Sequence, residues 1–150
     1  MKMAKSIKKS DTETAIRSVI EAKYQLKNIT LGAFKLSAPP NEEKVNGYQF
    51  DVQIKQQIVQ KDKKVIANII LGIKDEKDTQ LGSCSLFCVF EVENLSALMN
   101  DKESLSAFGL EINKIAIGTA RGALFVLFRV TDLQDAILPI ADASLFQNNE

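Results

Sequence analysis

Histidine is absent from this chain. Its absence removes the side chain most used for proton transfer near neutral pH and the commonest nitrogen ligand of zinc. Cysteine is nearly absent too. Cys84 and Cys88 have the same parity in a strand-like run and so lie about four residue rises apart, roughly 13 Å, too far for a disulfide within one strand. A zinc site needs about four ligands, so both thiols are expected to be small buried hydrophobes, with no metal and no cofactor. Arginine occurs only at Arg17, Arg121 and Arg129, and acidic and basic residues balance to a net charge of zero. Few forks are available for guanine or phosphate, and no strong field draws the chain to nucleic acid.

Other absences narrow the class further. No apolar run approaches the roughly 18 residues that would span a bilayer, so no membrane partner is expected. Lys2, Lys5, Lys8 and Lys9 are followed by Asp11, Thr12, Glu13 and Thr14 rather than by the apolar stretch of a secretory signal, which gives a frayed basic tail over residues 1–10 and a cytoplasmic location. No glycine-rich phosphate cradle occurs; Gly118-Thr119-Ala120-Arg121-Gly122 lacks both the spacing and a preceding strand. Asp75, Glu76 and Asp78 resemble an acidic cluster, but Lys74 and Lys77 interleave it and Gly82 closes it, as in a solvated hairpin loop. An enzyme is the reading with least support.

What is present is alternation. In residues 24–39, YQLKNITLGAFKLSAP, Tyr24 and Leu26 share one face of a strand, and Ile29, Leu31 and then Phe34, Leu36 join them only through bulges, with Gly32 as a place for one break. Tyr48, Phe50, Val52 and Ile54 alternate with polar residues. Val65 to Ile73 follow the QKDKK turn, and residues 83–92 give a fourth strand. The short polar connections favour antiparallel pairing.

Helices bracket these strands. Ser10 and Glu13 form a capping box ahead of Ala15, Ile16, Val19 and Ile20, so a helix is expected over residues 11–22. From about Leu110 to Val130 the apolar residues run round most of a helical circumference, more than one face of a four-stranded sheet covers, which points to burial against another subunit. Gly118 and Gly122, one turn apart, would let a neighbouring backbone approach. A turn at 118–122 followed by a fifth strand, ALFVLFRV, is the rival reading.

Three segments carry a resemblance. Residues 24–39 resemble the first strand of SecB-type protein-export chaperones, Thr119-Ala120-Arg121-Gly122 resembles the Tyr-Ala-Arg-Glu segment of that family's long helix, and Ile137-Leu138-Pro139-Ile140 with Leu145-Phe146 resembles its Leu-x-Pro-Val segment and the pair beyond. The resemblance implies a single α+β domain over residues 1–150: a four-stranded antiparallel sheet, a long helix on one face and a short C-terminal helix, to which the N-terminal helix is added. It also implies a homotetramer, a dimer of dimers, that holds unfolded or precursor polypeptides in apolar grooves without ATP, with export as one destination.

On that basis Phe34, Leu36, Tyr48, Phe50, Leu138, Leu145 and Phe146 are the expected client-binding residues. Gly118, Arg121, Gly122 and Phe125 are expected at the oligomer interface. Docking to the translocase motor SecA is not part of the expectation, because the acidic balance that serves it in the family is missing here. A dedicated adaptor for one partner, such as an antitoxin, is the alternative on the same fold. A small carrier of an apolar ligand is the third class.

Overall fold

The computed structural model describes residues 19–37, 47–129, 131, 133 and 135–139. Four strands form one antiparallel sheet in the order β1-β4-β3-β2: β1 Tyr24–Leu36, β2 Tyr48–Val59, β3 Lys64–Asp75 and β4 Gln80–Val92. Two helices follow, α1 Leu95–Met99 and the 27-residue α2 Lys102–Phe128. The α+β architecture and the four strands agree with the sequence expectation. Residues 123–128 are helical, which removes the fifth strand.

Strand register follows the pattern of apolar residues. β2 and β3 pair over 12 consecutive positions without a break. β1 instead shifts register twice against β4, between Leu26 and Asn28 and between Leu31 and Phe34. Each shift restores the in-facing phase, so Tyr24, Leu26, Ile29, Leu31, Phe34 and Leu36 all lie on one face although they are not evenly spaced. Lys63, with φ 53°, takes the left-handed conformation that closes the β2–β3 connection. At the β3–β4 connection Asp75 Oδ1 accepts the backbone N–H groups of Lys77 and Thr79, and Lys74 bridges Asp51 at 3.2 Å and Asp78 at 3.5 Å. The acidic cluster is thus the hairpin loop expected of it.

The helix expected over residues 11–22 falls mostly outside the described residues. Its last four, Val19 to Ala22, are not helical and lead into β1. No helix occurs among the described residues after α2.

α2 lies along the sheet. Ser104, Phe108, Ile112, Ala116, Ala120, Leu124 and Phe128, every fourth residue, are all buried. This is a ridge of the kind that packs into a facing groove at a modest inclination, and the small Ala116 and Ala120 at its middle permit a close approach. Phe108 meets Tyr24 with ring centroids 5.3 Å apart, and Phe128 meets Phe34 at 5.9 Å. The helix therefore runs in the direction of β1, its 20-residue rise of about 30 Å matching the length of that strand. One polar latch crosses from the sheet: Gln56 Nε2 donates to Gly109 O at 2.8 Å and to Oδ1 of the buried Asn113 at 2.7 Å.

Candidate functional site: the uncovered rim of the sheet

A helix is about 10–12 Å across and strands are about 4.8 Å apart, so one helix seals roughly two strands of four. The central pair is sealed. In-facing Val65, Ala67, Ile69, Leu71 and Ile73 of β3 and Cys84, Leu86, Cys88, Phe90 and Val92 of β4 are all buried. The edges are not. Register places the in-facing residues in rows across the sheet: Leu31-Leu86-Ile69-Ile54, Ile29-Cys88-Ala67-Gln56 and Leu36-Gly82-Ile73-Phe50. In these rows the β1 members stay open, with Ile29 47%, Leu31 41% and Leu36 45% exposed, beside neighbours that are fully enclosed. On α2, Phe125 and Val126 are 51% and 69% exposed.

The expected client-binding residues fall at one end of this face. Phe34 is half-buried beneath Phe128, and Leu36 lies exposed at the end of β1. Tyr48 and Phe50, half-buried, begin β2 on the opposite edge. Phe50 and Leu36 share a row but are separated by Gly82 and Ile73, so the two edges do not touch directly. The segment after α2 spans the gap. A Cβ on Gly82 would come within 3.2 Å of Leu133 Cδ1, and Asp135 is near enough to Tyr48 to help burial push its hydroxyl pKa up. Leu138 is buried and its carbonyl accepts a 2.9 Å hydrogen bond from Arg121 Nε. Leu145 and Phe146 lie outside the described residues.

Of the expected interface residues, Gly118, Arg121, Gly122 and Phe125 are all exposed on α2. A Cβ at Gly118 or Gly122 would meet nothing within 4 Å. Arg121 also has an intramolecular task, tying the segment after the helix to α2.

Ile29 and Leu31 were not among the expected site residues. Alternation assigns them to the inner face, and only the width of the covering helix shows that this part of the face is left open. The cysteines behave as expected: both are buried free thiols, and burial pushes the Cys84 thiol up to about 11 and raises that of Cys88. No group of three or more metal-ligating side chains occurs among the described residues, and no described helix is long and apolar enough to cross a membrane.

No protein-family model matches the chain, and no curated protein matches it in sequence. A solved structure does match: a SecB-like chaperone of Mycobacterium tuberculosis in complex with a ChAD peptide from an antitoxin, with a TM-score of 0.53, 16% identity, and 79% of this chain and 90% of that chain covered. At that identity the likeness is one of fold. The fold is SecB-like.

Proposed function

We propose that this SecB-like chain is a polypeptide-binding chaperone that works by holding and without turnover, keeping unfolded or precursor segments from aggregating in the cytoplasm, with export as one destination. The observation that carries the reading is the open apolar rim of β1, where Ile29, Leu31 and Leu36 remain exposed in rows whose β4 and β3 members are enclosed. An extended client buries alternate side chains and needs such a strip, because ordering a disordered segment costs about 2–5 kcal/mol that apolar burial must offset. Phe34, Tyr48 and Phe50 at the far end of the face supply aromatic surface for the same role, with Leu36 beside them. Client binding needs no nucleotide or metal in this account.

Assembly belongs to the outer face of α2. Gly118 and Gly122 each cost up to about 1 kcal/mol of helix propensity relative to alanine, and no neighbour among the described residues accounts for them. A second copy packed against Gly118, Gly122 and Phe125 supplies the reason, and pairs of such dimers make a tetramer. Replacing both glycines by alanine then lowers the assembled fraction; in a monomer the same change would only stabilise.

A dedicated adaptor is the second reading, favoured by the antitoxin peptide carried by the matching SecB-like chaperone. Solution mass, measured together with suppression of aggregation of a denatured unrelated protein without nucleotide, separates the two. A tetramer that holds the client near stoichiometry supports general holding. An oligomer that holds nothing supports the adaptor, and a monomer overturns the assembly.

A further inference from the structure

Residues 19–23 enter the fold as an extended strap laid against the start of α2. Their side chains do little of the holding: Val19 and Ile20 remain 46% and 37% exposed. The backbone is held instead. Ser104, itself buried and anchored by donating to Asp101 Oδ2, accepts the Ile20 N–H at 2.7 Å. Asn94 uses both ends of its amide, Nδ2 donating to Glu21 O at 2.9 Å and Oδ1 accepting from Lys23 N at 2.8 Å. In an extended chain the C=O of one residue and the N–H two residues on point the same way, and a neighbouring strand reads that pair. The Asn94 side chain imitates the N–H and C=O that one residue of a strand partner turns to the same side. The Glu93 N–H then donates to Lys23 O at 2.8 Å and leads into the β1–β4 ladder.

These contacts recognise groups that every extended peptide carries. The fit is also incomplete. Between Val19–Ala22 and the side formed by Ser104, Ala107, Phe108 and Glu111 there remains a cleft of about 230 Å³, larger than the roughly 150 Å³ cavity that takes up a benzene ring in an engineered core. The geometry points to a peptide groove at the α1–α2 junction that residues 19–23 occupy as an internal pseudo-client, so that release of the strap opens the groove to an extended, sequence-unspecified polypeptide with a larger apolar side chain for the cleft. The identity of that occupant rests on the polypeptide-binding reading above; the groove itself rests on the strap bound in it.

The test breaks the strap and spares the groove. In the full chain, Ile20→Pro with Lys23→Pro removes the two N–H donors and leaves Ser104 and Asn94 untouched. Amide exchange at Glu93, whose N–H donates to Lys23 O of the strap, should accelerate. A labelled synthetic peptide covering residues 17–24 should then bind about tenfold or more tightly than it binds the parent, the scale expected when two competing hydrogen bonds are lost. The same peptide should gain nothing with Asn94→Ala, Ser104→Ala, in which the strap is loosened but the groove is damaged.

Accelerated exchange without tighter peptide binding overturns the inference, and so does a Glu93 amide that stays equally protected in both variants. If the double-proline chain loses its native circular dichroism, Ile20→Pro alone serves as the releasing variant. A denatured unrelated protein separates this inference from the chaperone reading. Equal holding by parent and released chain leaves the chaperone reading intact and removes the groove. Peptide uptake without any holding does the reverse.

Discussion

Gly32 of β1 sits directly against Ser85 of β4: a Cβ at position 32 would overlap Ser85 Oγ and come within 2.9 Å of Phe87 Cε2. The same hydroxyl oxygen accepts the Ala33 N–H at 3.1 Å, so the second bulge of β1 is pinned by Ser85 and is possible only with glycine beside it. Gly32→Val should destabilise the fold by about 1–3 kcal/mol through overpacking. Urea unfolding should show a lower midpoint at unchanged slope.

Gln56 and Asn113 form a polar latch between sheet and helix. Gln56→Leu leaves the buried Asn113 Oδ1 without its donor and should cost about 1–3 kcal/mol, whereas Asn113→Leu should cost less, because the exposed Gln56 amide keeps Gly109 O as acceptor. The double variant should cost clearly less than the sum, because neither partner is then left unpaired. Additive losses in a double-mutant cycle followed by urea unfolding would show that the latch contributes nothing.

Much of this fold is legible from alternation. The two bulges of β1 follow from the uneven spacing of Tyr24, Leu26, Ile29, Leu31, Phe34 and Leu36, since no unbroken strand puts all six on one face. The long helix is legible from its apolar surplus. Its start is less so: Lys102 to Gly109 contribute Ser104 and Phe108 to the buried ridge, but too few apolar positions precede Leu110 to fix the period. Gln56 continues the in-facing series of β2 as a polar residue, and nothing local shows that its partner is 57 positions away. The strap illustrates a conflict between levels. Ser10, Glu13 and the apolar stripe favour helix locally, whereas Asn94 and Ser104, far along the chain, hold residues 20–23 extended. The rim of β1 was hidden for a geometric reason, as the sequence fixes which face a residue takes but not how far a helix reaches across it.

Stability should decline in alkali. Burial, reinforced by a hydrogen bond to Glu111 and by its charge, pushes the Tyr24 hydroxyl up to about 12, and burial pushes Cys84 up to about 11. Both groups lose their protons more readily in the unfolded chain, so their contribution is complete below pH 9 and is lost as pH rises through the folded values. Unfolding midpoints measured from pH 8 to pH 12 should therefore fall. Tyr24→Phe should flatten the part above pH 10 and Cys84→Ala part of the fall between pH 9 and pH 11. At pH 8 only about one Cys84 thiol in a thousand is ionised, so thiol reagents should label the native chain far more slowly than the urea-unfolded one.

The rim itself gives the sharpest separation of function from folding. Ile29 and Leu31 face inward by register but lie beyond the edge of the helix, so they support little of the core while presenting apolar surface that a client can bury. Ile29→Ser with Leu31→Ser removes two side chains that are about half exposed and should cost about 1–3 kcal/mol of stability. It should also lower the capacity to suppress aggregation of a denatured protein several-fold, since the exposed half of each side chain that a client buries is worth about 1 kcal/mol. Phe90→Ala, enclosed within the neighbouring row Leu26-Phe90-Val65-Ile58, should show the opposite pattern, with about 3–5 kcal/mol of stability lost and holding unchanged for as long as the chain stays folded. Equal holding by the serine variant and the parent, with solution mass unaltered, would move the client surface away from β1.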